Sequence, residues 1–294
     1  MRTKKILEHS GLEQVLIYDP THIAYLTGLQ YEVGERFIAL LIRKNKKDLL
    51  FLNKLFPKKG DILTVSYADH ENPIDMLIPY LDQTKALGVD GNFPCRFILP
   101  LINQRFALLD ISTSLESVRA IKDQSEYSLL KFASQKNDEI MAWARKQLKD
   151  GLSEKSLSDA LVEKQSTHPL SGPSFPAMVL YTDHAADPHG IPGGRRLNLD
   201  HDSVLIDMGG FFKGYASDMT RTFINKNDAF AQKIYQVVLE ANMAAINAIK
   251  IGATFAEIDH AARSVISKAG YGEFFIHRTG HGIGMDCHET PDVS

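Results

Sequence analysis

The chain has 294 residues, of which 44% are hydrophobic and 23% are charged, and its formal net charge at pH 7 is -3. This composition is typical of a soluble globular protein, and the length is enough for two domains. The small net charge gives no electrostatic reason to expect nucleic acid or an anionic membrane as a partner. No apolar run is long enough to span a bilayer, and the N-terminus lacks the apolar core of a signal peptide. The sequence therefore predicts a cytoplasmic protein.

Short apolar strands alternate with short helices in the first part of the chain. Strands are predicted over residues 12–19, 36–44, 48–53, 61–68 and 85–91, and helices that open with Pro or Asn over residues 20–28, 72–81 and 94–103. This alternation predicts an α/β domain with a mixed sheet. The glycines here are scattered singly, so the region holds no Gly-rich phosphate loop.

The sequence pattern changes near Ser117. From there, apolar residues recur at helical spacing as far as Gly151, a residue type that commonly ends a helix. We therefore predict an N-terminal domain of residues 1–122 and a second domain of residues 123–294.

The second domain is predicted to combine helices with a sheet. Ser153 occupies an N-cap position before a further helix, and a strand follows over residues 177–181. Two long helices, over residues 229–250 and 254–270, have apolar positions every three or four residues. Both helices are expected to cover a sheet.

Residues 203–221 predict a β-hairpin that carries two acids. An apolar run ends at Asp207, a turn containing glycine follows, and the chain leads back to Asp218. If the turn is centred between Phe212 and Lys213, the two acids face each other directly. Like charges so placed destabilise a sheet by about 0.2–1 kcal/mol, so an apolar hairpin that carries them favours a bound cation. The alternative is two solvated acids at a strand end and a turn.

Three histidines, His277, His281 and His288, lie close together near the end of the sequence. Glycines between them allow the backbone and a metal or substrate to approach closely. A single histidine in such a place is more often structural, but three of them after a pair of acids favour a functional site. The glycines also make a strand and loop more favourable here than a helix.

The two cysteines, Cys95 and Cys287, lie far apart in sequence and form no CxxC pair. This spacing argues against a disulfide scaffold or a zinc ribbon. Cys287 precedes His288 and could act as a nucleophile, but the role of a small buried hydrophobic residue is favoured.

Together these motifs resemble the pita-bread-fold metallopeptidases, and most closely the Xaa-Pro dipeptidases (prolidases) and aminopeptidases P. The matching passages are ADPHGIP around His189, LIDMGGFFKGYASDMTRTF and HRTGHGIGMDCHE. Upstream, YDPTHIAYLTGLQYEVGER resembles the start of a creatinase-type N-terminal domain, and VRAIKDQSEYSLLKFA resembles the junction into the catalytic domain. The resemblance covers nearly the whole chain and implies an α/β N-terminal domain followed by a pita-bread catalytic domain.

The resemblance implies that Asp207, Asp218 and His281 bind two divalent metal ions, with Asp218 bridging them. Mixed carboxylate sites suit Mn²⁺, and Co²⁺, Zn²⁺ or Fe²⁺ are possible by geometry. A metal-bridged hydroxide would then attack the peptide bond before proline. The family completes its metal pair with two glutamates further downstream, one of them also the general base, and Glu289 does not replace them. The sequence is therefore expected to be a truncated form of a longer protein, one that need not be active as it stands.

The resemblance gives the other histidines different roles. His189 and His288 would hold the substrate and stabilise the reaction intermediate without binding metal, and His277 would lie beside the substrate. The implied substrate is a short proline-containing peptide, and the implied assembly is a homodimer in which the N-terminal domain shapes the partner's specificity.

Several alternatives remain open from the sequence. An aminopeptidase P acting on longer peptides shares all of these motifs. The alternative outside the enzymes is a non-catalytic pita-bread protein that binds a peptide or a partner. A methionine aminopeptidase lacks a comparable N-terminal domain, and a creatinase does not use the two aspartates as metal ligands.

Overall fold

A mixed sheet flanked by helices forms the first part of the computed structural model, which describes residues 2–167 and 169–294. The elements are α1 (Arg2–Ser10), β1 (Gln14–Ile17), α2 (Pro20–Thr27), β2 (Ile38–Arg43), β3 (Leu49–Asn53), β4 (Leu63–Tyr67), α3 (Pro73–Leu77), β5 (Leu87–Val89), α4 (Cys95–Asn103), β6 (Leu108–Asp110) and α5 (Ser112–Ala120). The strand order is β4-β3-β2-β1-β5-β6. Strand β1 pairs antiparallel with β2 and parallel with β5, so the predicted mixed sheet is confirmed.

The chain divides into two units, one ending at Ile121 and the other spanning Lys122–Ser294. The helix predicted from Ser117 to Gly151 is in fact two helices, α5 and α6 (Gln124–Gln147). Asp123 interrupts it, because its side chain accepts the backbone N–H groups of the first turn of α6 and so starts a new helix.

Two elements of the first unit were missed by the sequence pattern. Helix α1 is largely polar and buries only Thr3 and Ile6, so its apolar periodicity is weak. Strand β6 has three residues and is mostly exposed, so it shows no apolar run.

The second unit combines helices with small sheets. Its elements after α6 are α7 (Glu154–Gln165), β7 (Met178–Tyr181), β8 (Val204–Met208), β9 (Phe211–Phe212), β10 (Tyr215–Ala216), β11 (Met219–Phe223), α8 (Ala229–Ala248), α9 (Phe255–Lys268), β12 (Gly280–Gly282) and β13 (Glu289–Val293). Strand β8 lies between β11 and β7, while β9 pairs with β10 and β12 with β13. Helices α6 and α7 pack on the first of these sheets through a core that includes Ala144, Leu157, Leu161, Val179, Tyr181, Ile206 and Met208.

Helices α8 and α9 pack against each other. Their contact is built from small and branched residues, namely Ala241, Ala245, Ile258, Ala262 and Ile266. Val293 of β13 joins this cluster, so α9 lies against a strand as expected. Helix α8 instead leaves a second apolar stripe exposed, which includes Val238, Leu239 and Ile246. Across residues 2–167 and 169–294, no helix combines the length and the apolar character needed to cross a bilayer.

Candidate active site

The turn between β9 and β10 sets the register of the acid-bearing hairpin. Lys213 and Gly214 have φ values of 48° and 81°, which is the pattern of a two-residue type I′ turn. Tyr215 therefore pairs with Phe212. The turn is centred between Lys213 and Gly214, one residue later than predicted, because this turn type needs a positive φ at both central residues and glycine adopts it readily.

The shifted turn moves the two acids out of direct opposition. Asp207 pairs with Thr220, whose hydroxyl donates a hydrogen bond of 2.8 Å to it. The predicted direct pairing of Asp207 with Asp218 is therefore wrong. Asp218 lies two positions before Thr220, so the acids are diagonal neighbours on the same face, a spacing within reach of side chains. Burial raises the pKa of Asp207, the Thr220 hydrogen bond opposes that rise, and the negative charge of Asp218 adds to it.

Gly209 allows the hairpin to close beside the acids. A Cβ atom added to it would lie 1.9 Å from the backbone oxygen of Ser217 and 2.2 Å from Oγ of Ser174. Ser174 Oγ donates to that same Ser217 oxygen at 2.7 Å. No side chain fits at this position without moving the backbone that leads to Asp218.

Strands β12 and β13 place His281 beside the hairpin. Their close approach requires glycine at Gly282, since an added Cβ would lie 2.6 Å from the backbone oxygen of Thr290. Nδ1 of His281 lies 2.8 Å from the backbone oxygen of Gly282, and a carbonyl can only accept, so Nδ1 carries the proton. Nε2, the nitrogen that a neutral ring would offer to a metal ion, lies 3.4 Å from Oδ2 of Asp218.

His288 completes a close group with these two residues. Its ring lies edge-on to that of His281, with the centroids 4.4 Å apart. One side-chain nitrogen or oxygen from each of Asp218, His281 and His288 lies within 4.8 Å of the others. This group contains His288, which was predicted to act on substrate, and not Asp207, which was predicted to bind metal. Partial burial lowers the pKa of His288, and the charge of the nearby Arg278 lowers it further, which favours the neutral ring.

One cavity of about 650 Å³ collects the residues predicted from the sequence. Its polar lining comprises Asp207, Asp218, Thr220, His189, His277, Arg278, His281 and His288. The rest of the lining is mainly apolar and is formed by Phe175, Pro176, Ala177, Met178, Pro188, Ile191 and Pro192, with Gly190. All six predicted site residues thus line the same space, and a small peptide is the size of ligand that such a volume accommodates.

The loop that carries His189 is held by a residue that the sequence did not reveal. Glu154, at the start of α7, is fully buried and accepts the backbone N–H groups of Tyr181 at 2.9 Å and Gly193 at 3.0 Å. Nδ1 of His184 lies 2.9 Å from the same carboxylate. The only sequence signal was an acid in the first turn of a helix, which is common and does not distinguish this role.

Cys287 lies beside the acids as a protonated thiol. Burial raises its pKa to about 12, and Asp218 and Asp207 add to the rise. Its Sγ donates to Oδ2 of Asp218 at 3.5 Å. Because the thiolate is the nucleophilic form, the favoured non-nucleophilic role agrees with this environment.

The donor atoms around Asp218 fit a divalent metal ion. Ligating histidines usually donate their second ring N–H to a carbonyl or carboxylate, which is how the ring of His281 is held by Gly282. Burial raises the pKa of Asp207 and the charge of Asp218 adds to the rise, so a cation beside this carboxylate would be favourable. Carboxylate oxygen and imidazole nitrogen together are a donor set for Mn²⁺, Fe²⁺, Co²⁺ or Zn²⁺.

The fold and this site together define a metallopeptidase. The sequence profile of metallopeptidase family M24 matches residues 128–294, and that of the creatinase/prolidase N-terminal domain matches residues 1–121. The chain belongs to metallopeptidase family M24. The predicted α/β arrangement, a creatinase-like domain followed by a pita-bread domain, is confirmed, and the family implies a divalent metal cofactor and a peptide substrate.

The similarity to individual relatives covers nearly all of this chain or the whole of it. An uncharacterized peptidase of Staphylococcus aureus is 36% identical over 98% of this chain and 84% of its own length. A dipeptidase from Pyrococcus horikoshii superimposes with a TM-score of 0.93 at 30% identity, covering 100% of this chain and 85% of that one. A prolidase from Thermococcus sibiricus does so with a TM-score of 0.92 at 29% identity, covering 100% and 84%.

Proposed function

We propose that the protein is a metal-dependent peptidase that cleaves the bond before proline in dipeptides or short peptides. The observation that carries this proposal is the convergence of two acids and four histidines on one cavity that also has an apolar, proline-rich lining. The similarity to a prolidase and a dipeptidase supports the same reaction class.

Asp207, Asp218 and His281 are proposed to hold two divalent ions, Mn²⁺ by preference. When bound, such ions lower the pKa of a coordinated water and polarise the scissile carbonyl. The protein holds the side chains of the proposed metal ligands in place before the metal binds. Thr220 holds Asp207 by its hydroxyl, Cys287 donates to Asp218, and the Gly282 carbonyl orients His281.

His189 and His288 are proposed to act on the substrate. A neutral imidazole offers one N–H donor, and the lowered pKa of His288 keeps its ring in that form at pH 7. That N–H would hydrogen-bond the carbonyl oxygen as negative charge develops on it. His277, whose Nδ1 lies 2.8 Å from the Arg278 carbonyl oxygen, is proposed to contact the substrate from the same wall.

The apolar lining is proposed to select proline. Phe175, Pro176 and Ile191 offer rigid apolar surface to a pyrrolidine ring, which has no N–H donor in the peptide and needs none from the site. A residue with a free amide N–H would leave that donor unpaired against such a wall, which is unfavourable.

Hydrolysis of three peptides in the presence of Mn²⁺ tests the proposal: an Xaa-Pro dipeptide, an Xaa-Pro-Yaa tripeptide and an Xaa-Ala dipeptide. We expect kcat/KM for the Xaa-Pro dipeptide to exceed that for Xaa-Ala by about 10²-fold, the discrimination that an apolar pocket reaches against a substrate with one additional polar group. Faster cleavage of the tripeptide would indicate an aminopeptidase P. Binding of all three peptides without hydrolysis by the full-length protein, at full metal loading, would overturn the proposal in favour of a peptide-binding protein.

We also propose a homodimer, as the resemblance of the N-terminal domain implies. Light scattering at micromolar concentration should give twice the mass of the 32.8 kDa chain. A monomer at that concentration would contradict the assembly but leave the proposed reaction untouched.

A further inference from the structure

The N-terminal end of α6, together with Lys122 just before it, contacts both segments that carry the candidate metal ligands. Nζ of Lys122 lies 3.0 Å from Oε2 of Glu289, and their side chains are only 18% and 7% exposed. Oε1 of Glu126 accepts the hydroxyl of Tyr215 at 3.0 Å in a buried hydrogen bond. Glu289 pairs with Gly282, the neighbour of His281, and Tyr215 lies on the strand that leads to Asp218.

The Glu289 carboxylate determines the course of the histidine loop. Its Oε1 accepts the backbone N–H of Asp286 at 3.1 Å. Its two oxygens lie so close to Gly284 that an added Cβ would be 2.4 Å from each. The carboxylate therefore lies against the loop that joins β12 to β13, so a shift of Glu289 would disturb that loop and strand β12, which carries His281.

A backbone hydrogen bond ties the two segments to each other as well. The N–H of Ala216 donates to the carbonyl of Gly284 at 2.7 Å. Ala216 follows Tyr215. The hairpin and the histidine loop therefore contact each other close to the residues through which Glu126 and Lys122 bind them.

Helix capping alone does not account for these contacts. Asp123 and Glu126 already form a complete capping box, for which Oε2 of Glu126 is sufficient. A positive charge at a helix N-terminus opposes the helix dipole, so Lys122 does not stabilise α6 by its charge. Its placement is explained by the buried carboxylate of Glu289, which needs a cation.

We propose that Lys122, Glu126 and Tyr215 are positioning residues that set the distance between Asp218 and His281, whose strand β12 pairs with β13, the strand that begins at Glu289. They hold the hairpin and the histidine loop against one rigid helix end, so that donors from two separate strand pairs lie within reach of one ion. This inference rests on the proposed metal site and names the residues that shape it.

Titration of the metal-free protein with Co²⁺, followed by visible absorption and calorimetry, tests the proposal. Lys122→Met should weaken Co²⁺ binding by about 10–100-fold, the usual effect of residues that orient metal ligands, and should change the absorption band. Lys122→Arg, which keeps the charge, should recover part of the affinity. The matched control is Lys136→Met, which removes the charge of an ion pair with Glu139 on the same helix and should bind Co²⁺ as wild type does.

Melting temperatures of the same samples separate positioning from folding. Lys122→Met with the affinity and spectrum of wild type would overturn the inference, whatever its melting temperature. If Lys122→Met does not fold, Tyr215→Phe decides, because it removes one hydroxyl and should still shift the Co²⁺ spectrum and weaken binding. Wild-type protein that binds no Co²⁺ would instead refute the proposed metal site itself.

Discussion

Nε2 of His281 lies 3.4 Å from Oδ2 of Asp218, although the two residues belong to different strand pairs. The proton on Nδ1 is directed to the Gly282 carbonyl, so Nε2 is the ring nitrogen that faces Asp218. A lone pair and a carboxylate that point at each other repel unless a proton or a metal ion lies between them. The Gly282 carbonyl thus orients His281 so that its Nε2 and the Asp218 carboxylate can bind the same metal ion.

The histidines should differ in their effect on metal binding. His281→Ala removes a proposed ligand and should lower Mn²⁺ affinity, with part of the activity regained at high Mn²⁺. His189→Ala should leave metal content nearly unchanged and lower turnover by about 10²–10³-fold, the loss expected for one donor to a developing oxyanion. Metal analysis and turnover on the same preparations check both.

His288→Ala is the critical comparison, because His288 lies in the close group with Asp218 and His281. We expect it to retain metal and lose turnover, as His189→Ala does. Loss of metal as complete as in His281→Ala would show that His288 is a ligand and that the proposed division of roles is wrong.

Replacement of Asp207 by Asn should stabilise the metal-free protein. The change removes a half-buried carboxylate beside Asp218 and keeps an oxygen for the Thr220 hydroxyl, so we expect a gain of roughly 0.2–1 kcal/mol in the free energy of unfolding. The same variant should lose the stabilisation that Mn²⁺ gives to wild type. Urea denaturation with and without Mn²⁺ measures both effects, and Asp200→Asn, at an exposed position, is the control.

The gain from Asp207→Asn should depend on pH. The pKa of Asp207 in the folded state is raised above its ordinary value of 3.8. The ionisation of Asp207 therefore costs wild type stability as pH rises from below 3.8 through the folded-state pKa, and the variant lacks this cost. The difference in unfolding free energy should grow over that interval and stay constant at higher pH. A difference that shrinks with rising pH would contradict the environment described for Asp207.

Glu154→Ala should be strongly destabilising. It leaves the buried N–H groups of Tyr181 and Gly193 without their acceptor, at a cost of about 2–4 kcal/mol. Glu154→Gln keeps one acceptor oxygen and should cost less. Asp159→Ala, which breaks an exposed ion pair with Lys155 on the same helix, should change the free energy of unfolding by less than about 1 kcal/mol. Equal losses for Glu154→Ala and Asp159→Ala would refute the anchoring role of Glu154.

Gly209→Ala should disrupt the acid-bearing hairpin. The added methyl would lie 1.9 Å from a backbone oxygen, which cannot move aside as a flexible side chain would. We expect a loss of about 3 kcal/mol or more, together with weaker Mn²⁺ binding. Gly194→Ala is the matched control, since an added Cβ there meets no atom within 4 Å. Thermal melting and Mn²⁺ titration of both variants provide the measurement, and a wild-type-like Gly209→Ala would contradict the register described.

The sequence by itself determined the kinds of element and the chemical groups of the site. Apolar periodicity and helix caps, such as Ser153 before α7, act over a few neighbouring residues, so local pattern reveals them. The acids at Asp207 and Asp218 and the histidines among glycines were likewise visible, because their residue types are unusual in apolar hairpins and loops.

Only the tertiary structure decided how these groups meet. The hairpin register depended on a single turn at Lys213 and Gly214, and a shift of one residue in its centre changed the cross-strand partner of Asp207 to Thr220. The grouping of Asp218 with His281 and His288 depends on how separate strand pairs pack, which no local pattern encodes. Glu154 was hidden for the same reason, because its hydrogen bonds to Tyr181 and Gly193 join segments far apart in sequence.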